Sequence, residues 1–163
     1  VSLGRKLFFD SRLSRDGTVS CATCHDVTRG FTDQRKVSEG IDGQLGRRNA
    51  PTTLNVALLQ TLFLDGRSPS LEHQARMPGI IPIAVGMPVG QGAVVAVRGD
   101  PEDPEAFEQA YGREINYEDV GGGLAACERA RTVMQAIFES TNIAKNRCSW
   151  KTILIISAGY AWI

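Results

Sequence analysis

The chain of 163 residues has only two histidines and four cysteines, which limits the metal sites that it can build. Lysine and arginine together number 18, and so do aspartate and glutamate, so the net charge is zero. This balance gives no global electrostatic case for binding nucleic acid or an anionic membrane. The apolar end, residues 152–163, is shorter than the run of about 20 residues that a membrane-spanning helix needs, so we expect no membrane span.

The sequence also lacks any sustained alternation of apolar and polar residues, the pattern typical of β-strands. Short apolar runs at 94–97 and 153–156 fit either a strand or part of a helix. Helical periodicity and capping signals predict helices over residues 3–9, 51–59, 69–76, 104–111 and 117–140. The sequence therefore predicts one all-α domain with long loops at 26–48 and 78–88.

The most specific motif is the segment Cys21-Ala22-Thr23-Cys24-His25. This C-x-x-C-H pattern is typical of covalent attachment of a c-type haem. The two thiols are spaced to bond the two vinyl groups of one haem, and the next residue, His25, is then placed to ligate the iron as the proximal ligand. The alternatives are a redox dithiol, which does not need the histidine, and an accidental match. A structural zinc site would require further ligands.

The other two cysteines, Cys127 and Cys148, have no role in this motif. They could form a disulfide in an oxidising compartment, but the sequence does not show whether they lie close enough to bridge. We expect two unpaired thiols. The chain begins at Val1 and shows no secretory signal, as expected of a mature or truncated chain.

Several blocks flank the haem motif in a fixed order. They are Leu7-Phe8-Phe9-Asp10, Arg48-Asn49-Ala50-Pro51-Thr52, Phe63-Leu64-Asp65-Gly66-Arg67 and Leu71-Glu72-His73-Gln74-Ala75. Together they resemble the amino-terminal haem domain of the bacterial di-haem cytochrome c peroxidases, which are related to the methylamine dehydrogenase-maturation enzymes. The resemblance covers about residues 1–129 and implies a cytochrome-c-like helical haem domain. After it stops, we expect residues 130–163 to be a divergent tail, from truncation or a frameshift.

This resemblance implies a function, a location and partners. The family reduces hydrogen peroxide with electrons from a small cytochrome c or cupredoxin, and covalent haem attachment of this kind implies the periplasm. The family continues into a second haem domain, whereas no second C-x-x-C-H motif occurs in this chain. We therefore expect a peroxidatic domain with impaired activity. The alternative is a mono-haem electron-transfer module without catalysis of its own.

The resemblance also assigns roles in the distal pocket, on the haem face opposite the proximal ligand. Gln74 matches the family's distal glutamine, which could orient bound peroxide. Ala84 stands where the family has a glutamate that moves a proton between the peroxide oxygens, so this acid is missing. Ile41 stands where some members have a histidine as second iron ligand. Further distal-pocket candidates are Phe63, Pro82 and Met87.

Other residues are candidates for binding the haem periphery, a second ligand or calcium. Haem propionates suit the guanidinium groups of Arg47, Arg48 and Arg67, which could equally be solvated surface arginines. Asn49 matches a residue that helps to bind calcium between the two domains in the family, and a simple turn asparagine is the alternative. Besides Met87, a second iron ligand could come from His73 or Met77.

Overall fold

The structure is a computed structural model that describes residues 1–88 and 90–132, and this part of the chain contains six α-helices and no β-strand. The helices are α1 (Ser2–Phe9), α2 (Cys21–Cys24), α3 (Leu71–Ile80), α4 (Gln91–Arg98), α5 (Glu102–Tyr111) and α6 (Tyr117–Arg129). The segments between α2 and α3 are long loops with short 3-10 turns and isolated β-bridges. The predicted all-α fold with long loops is confirmed.

Helices α1 and α6 cross at very close range because glycines face each other at the crossing. A Cβ atom on Gly4 would lie 1.8 Å from the carbonyl oxygen of Gly123, so no side chain fits at Gly4. A Cβ atom on Gly121 would lie 2.5 Å from Cγ of Arg76 on α3. Each glycine inside a helix costs about 1 kcal/mol relative to alanine. Here that cost permits α6 to pack closely on both α1 and α3.

The main hydrophobic core forms where α1, α4, α5 and α6 meet. Its most deeply buried side chains are Leu7, Phe8, Val97 and Phe107, and α6 adds Val120 and Leu124. Burying a leucine or phenylalanine side chain stabilises a fold by about 1.5–3 kcal/mol. This core fixes α6 against the rest of the domain. One side of α6 is thereby held facing the loop that follows α2.

The helix predicted over residues 51–59 does not form. The Thr52 hydroxyl donates to the carbonyl oxygen of Gly30 (2.6 Å) and accepts from the backbone N–H of Leu54 (3.1 Å). Asn55 then takes a left-handed conformation with φ of 60°. The bond from the Leu54 N–H competes locally with helical hydrogen bonds, and the bond to Gly30 ties Thr52 to a distant segment. Only a 3-10 turn at Val56–Leu58 remains.

Helix α3 begins and ends later than predicted. The Ser70 hydroxyl caps it by accepting from the backbone N–H of His73 (3.2 Å), whereas the Ser68 hydroxyl bonds Nδ1 of the same histidine (2.8 Å). The helix continues through Pro78, although proline cannot donate to the carbonyl four residues earlier. The predicted loop over residues 78–88 therefore starts only at residue 81.

The remaining helix predictions agree with the structure in type and differ at their ends. The run at 94–97, which fitted a strand or a helix, lies in α4. The predicted helix over 104–111 starts at Glu102, whose backbone N–H donates to the carboxylate of Asp100 (3.0 Å). The next residue, Asp103, turns inward to Lys6 and Arg12, each 2.7 Å away. Helix α6 ends at Arg129, and residues 133–140 of the predicted helix lie outside the described residues. Within residues 1–88 and 90–132, no helix is long and apolar enough to cross a membrane.

The close contact between Gly4 on α1 and Gly123 on α6 predicts that even a very small added side chain has a large steric effect. Gly4→Ala should lower the free energy of unfolding by about 2 kcal/mol, because overpacking against rigid backbone outweighs the helix propensity of alanine. Arg5→Ala, at the exposed neighbouring position, is the control and should change it by less than about 0.5 kcal/mol. Urea unfolding checks both variants. A Gly4→Ala protein as stable as the wild type would contradict the close approach of α1 and α6.

Candidate functional site

A cavity of about 550 Å³ brings together residues from distant parts of the chain. The haem motif contributes Cys21, Cys24 and His25, and α3 contributes Gln74. The segment after α3, α4 and α6 contribute apolar lining side chains: Ile81, Ile83, Ala84, Val85, Ala93, Val120 and Leu124. Cavities of roughly 300–1,000 Å³ with mainly apolar walls and a few polar groups are typical of sites for cofactors and small molecules.

The single turn of α2 places the haem motif on this wall. The backbone N–H of Ser20 donates to the Thr23 hydroxyl (3.0 Å), and the backbone N–H of His25 donates to the carbonyl oxygen of Cys21 (2.9 Å). Burial, followed by the charge of Glu128, raises the pKa of Cys21 to about 12, and burial also raises the pKa of Cys24. Redox dithiols depend instead on a lowered thiol pKa, so the redox alternative is disfavoured.

The imidazole of His25 lies against the backbone of Phe31 and of Pro51. Its Nδ1 atom lies 3.2 Å from the carbonyl oxygen of Phe31, and a bond to a carbonyl requires the proton on Nδ1. Burial lowers the pKa of His25, so the neutral form is favoured. Neutral imidazole with its proton on Nδ1 has a free lone pair on Nε2, which is the form that ligates metals.

These groups fit a covalently attached haem. The two thiols and the neutral imidazole line one cavity, and the rest of its wall is mostly apolar, as a large flat hydrophobic macrocycle requires. Cys21 and Cys24 would carry the thioether bonds, and His25 would ligate the iron. Methionine side chains are absent from the lining among the described residues, and His25 is the one histidine there.

Gln74 and Ala84 line the same cavity as the haem motif. The carbonyl oxygen of Ala84 accepts from the backbone N–H of Ile41 (3.0 Å), which ties the segment after α3 to the loop that follows α2. A Cβ atom on Gly40 would lie 1.9 Å from the carbonyl oxygen of Ile83, so the two segments pack backbone to backbone. The amide of Gln74 can donate and accept hydrogen bonds, but neither it nor the methyl group of Ala84 can supply a proton near neutral pH.

Four predicted pocket residues lie outside the cavity lining. Ile41 is fully buried behind the segment after α3, with Cδ1 against Gly86, and Met87 is buried against Gly92. Pro82 is exposed and does not line the cavity, although its neighbours Ile81 and Ile83 do. The ring of Phe63 is covered by the guanidinium of Arg67, whose Cζ lies 3.6 Å from the ring centroid.

The three arginines predicted near the propionates all line the cavity. Arg67 pairs with Asp65 at 2.7 Å, and Arg48 lies 3.9 Å from the same carboxylate. Arg47 has no ion pair within residues 1–88 and 90–132. All three are exposed, so they could reach an anionic group at the cavity mouth without a large desolvation cost.

The other candidate ligands lie away from the cavity. His73 is held by Ser68, and neither it nor Met77 contributes to the lining. Asn49 is exposed, and the described residues contain no group of three or more histidine, cysteine, aspartate or glutamate side chains arranged for a metal ion. The calcium role of Asn49 stays a prediction. Cys148 lies outside the described residues, so its pairing with Cys127 is a prediction as well.

Glu128 is a site residue that the sequence analysis missed. It lines the cavity and is 8% exposed, and within residues 1–88 and 90–132 its carboxylate accepts no hydrogen bond, whereas its backbone carbonyl accepts from the N–H of Arg131 (3.0 Å). Burial raises its pKa to about 7, against the opposing charges of Arg131 and Arg129. The available signal was helical spacing, because Val120, Leu124 and Glu128 recur every four residues on one face of α6.

Comparisons with known proteins identify the class of this domain. A family model described as di-haem cytochrome c peroxidase matches residues 1–146. The methylamine utilization protein MauG of Paracoccus denitrificans (strain Pd 1222) is 36% identical over 158 residues, covering 85% of this chain and 41% of that protein. Cytochrome c peroxidase Ccp of Escherichia coli (strain K12) is 33% identical over 139 residues, covering 85% of this chain and 30% of that protein.

Solved structures agree with these matches. A MauG-like protein associated with microbial copper homeostasis superposes with a TM-score of 0.77 and 29% identity, over 91% of this chain and 45% of that one. The diheme peroxidase BthA from Burkholderia thailandensis E264 gives a TM-score of 0.72 and 25% identity, over 78% of this chain and 37% of that one.

The fold and the comparisons thus define a helical domain of the kind found in di-haem enzymes. The chain belongs to the di-haem cytochrome c peroxidase family, which confirms the resemblance seen in the sequence. It spans about 30% and 41% of the lengths of the two curated relatives described above. The activity of the complete relatives is therefore not assigned to this chain on the basis of these matches.

The buried carboxyl group predicts a specific pH dependence of stability. Because the pKa of Glu128 is raised from 4.5 to about 7 by folding, its stabilising contribution is complete below pH 4.5 and is lost as the pH rises through 7. At 1.36 kcal/mol per pKa unit, the loss is roughly 3 kcal/mol. Glu128→Gln should remove this decline in urea unfolding from pH 4.5 to 8, whereas Glu118→Gln, at an exposed position of α6, should keep it. Parallel wild-type and Glu128→Gln profiles would contradict the assignment.

Proposed function

We propose that this chain is the peroxidatic haem domain of a di-haem peroxidase, with one haem c bonded to Cys21 and Cys24 and ligated by His25. The observation that carries this proposal is that both thiols and the neutral imidazole line the same apolar cavity as Gln74 and Ala84. When bound, haem supplies a redox-active iron that can bind peroxide and pass electrons. The overall reaction consumes hydrogen peroxide, two electrons and two protons, and produces two water molecules.

Several residues of this chain have distinct roles in that reaction. His25 would ligate the iron, and the carbonyl oxygen of Phe31 orients its ring. Gln74 orients bound peroxide through its amide, and the three arginines at the cavity mouth bind the propionates. The cavity wall excludes water around the reacting oxygen atoms. Neither Gln74 nor the arginines move a proton between the two peroxide oxygens, and Ala84 stands where the resemblance puts the family's acid.

The isolated chain is therefore an impaired peroxidase under this proposal. General acid–base catalysis typically contributes about 10² to 10⁴-fold in rate. The alternative function is a mono-haem electron-transfer module, and the methyl group of Ala84 in the cavity favours it. The two functions differ in whether hydrogen peroxide reacts with the ferric protein.

Partners and location follow from the same proposal. Electrons come from a small redox protein, a cytochrome c or a cupredoxin, and a second haem domain completes the enzyme, as the di-haem family implies. The proposed location is the periplasm, because covalent haem attachment of this type takes place outside the cytoplasm. Calcium at Asn49 would require further ligands from outside this chain, since calcium takes about 6 to 8 oxygen ligands.

Covalent attachment predicts that haem stays on the polypeptide after extraction with acid and acetone. Cys24→Ala should sharply reduce the yield of haem protein, because one of the two thioether bonds is lost. Cys127→Ala is the matched control, since Cys127 is buried outside the cavity lining and should leave attachment unchanged. Haem that passes into the solvent from the wild-type protein would refute the proposed attachment.

Restoring the acid tests the catalytic part of the proposal. Ala84→Glu should raise the rate of reaction with hydrogen peroxide about ten-fold or more, within the range of general acid–base catalysis. Ala84→Gln is the control, because it has a similar size and polarity but no proton to transfer. Stopped-flow mixing of each ferric protein with peroxide measures the rates. Equal rates for Ala84→Glu and Ala84→Gln would show that a proton-transferring group at this position is not the missing element.

A further inference from the structure

Phe31, a backbone hydrogen-bond partner of His25, has an unusual backbone conformation. Phe31, whose carbonyl oxygen lies 3.2 Å from Nδ1 of His25, has a φ of 61°. Residues with a bulky side chain rarely occupy this left-handed region, since it brings Cβ close to the backbone. Its backbone N–H donates to the carbonyl oxygen of Asp26 (2.8 Å), which closes the turn after the haem motif. Other contacts must hold this conformation in place.

The aromatic ring of Phe31 is held by Arg131. The Cζ atom of Arg131 lies 4.6 Å from the Phe31 ring centroid and 3.8 Å from the centroid of Phe8 on α1. The two rings themselves meet edge to face, with centroids 6.4 Å apart. A planar guanidinium can stack on both aromatic rings and attract both electrostatically. Arg131 thus joins the turn after the haem motif to the hydrophobic core.

Arg131 is itself fixed from three directions. Its Nη1 atom donates to the Thr53 hydroxyl (3.1 Å), and its Nη2 atom donates to the sulfur of Cys127 on α6 (3.3 Å). Its carbonyl oxygen accepts from the backbone N–H of Asn55 (3.3 Å). The guanidinium is therefore an anchored group, and its position follows that of α6.

We propose that Arg131 is a positioning residue for the proximal histidine, acting through Phe31. It fixes the Phe31 ring, and the ring fixes the carbonyl oxygen that accepts the Nδ1 proton of His25. This inference rests on the proposed role of His25 as iron ligand and adds the group that sets its orientation.

The proposed role has a measurable electronic consequence. A carbonyl oxygen that accepts the Nδ1 proton raises the basicity of a metal-ligating histidine and fixes its ring. Loss of this bond makes the imidazole a weaker electron donor. The ferric iron is then less stabilised, and the reduction potential rises. Removing the positive charge of Arg131 acts in the opposite direction, so the two effects can be separated by a substitution that keeps the charge.

Arg131→Lys is that substitution, because lysine keeps the charge but lacks the planar guanidinium. In the full-length haem protein, we expect it to raise the reduction potential and to lower the frequency of the iron–histidine stretching band of the reduced protein. Arg129→Lys is the control, since Arg129 pairs with Glu72 at 2.5 Å and touches neither ring. An Arg131→Lys protein with both readouts unchanged, while haem remains covalently bound, would overturn the proposal.

Phe31→Gly provides a second test, made at the residue through which Arg131 is proposed to act. Glycine takes a positive φ without strain, so the turn survives while the ring that Arg131 holds is lost. We expect Phe31→Gly to shift the potential in the same direction, and Arg131→Lys to add nothing further in that background. Independent, additive shifts would contradict action through Phe31. Haem that is not covalently bound in the wild type would instead overturn the proposed function.

Discussion

The close backbone contact between α1 and α6 is the constraint on which the rest of this domain depends. Gly4 and Gly123 allow the two helices to approach until a single added carbon atom has no space. The crossing sets the position of α6, which supplies Val120, Leu124 and Glu128 to the cavity wall. A helix placed even one side chain further away would open the cavity and separate Arg131 from the turn that holds His25.

The interior of the cavity favours the neutral forms of its titratable groups. Burial raises the pKa values of Cys21 and Glu128 and lowers that of His25, so the thiol, the carboxylic acid and the imidazole are all shifted toward their uncharged forms. Charged groups are kept at the mouth, where the arginines remain exposed. This distribution suits a cofactor with an apolar body and anionic edge groups, and it gives the thiols protonated sulfur rather than redox-active thiolate.

The sequence predicted the parts of this domain that depend on local chemistry. The spacing of Cys21, Cys24 and His25 fixes their common position on one helical turn, and the apolar periodicity of residues 3–9 corresponds to α1. Two of the failures depend on contacts between distant segments. Thr52 bonds Gly30 instead of continuing a helix, and Ile41 packs behind the segment after α3 instead of facing the cavity. The role of Arg131 requires Phe8 and Phe31 to meet, which no local pattern shows.

The most direct test of the haem site is the electron paramagnetic resonance spectrum of the ferric, full-length protein. Within the described residues, His25 is the one histidine that lines the cavity, and methionine is absent from the lining. His73 is engaged by Ser68, and Met87 is packed against Gly92. We therefore expect a high-spin ferric signal, as for iron with a single strong protein ligand. A low-spin signal that disappears on substitution of His73 or Met87 would contradict the proposed open site for peroxide.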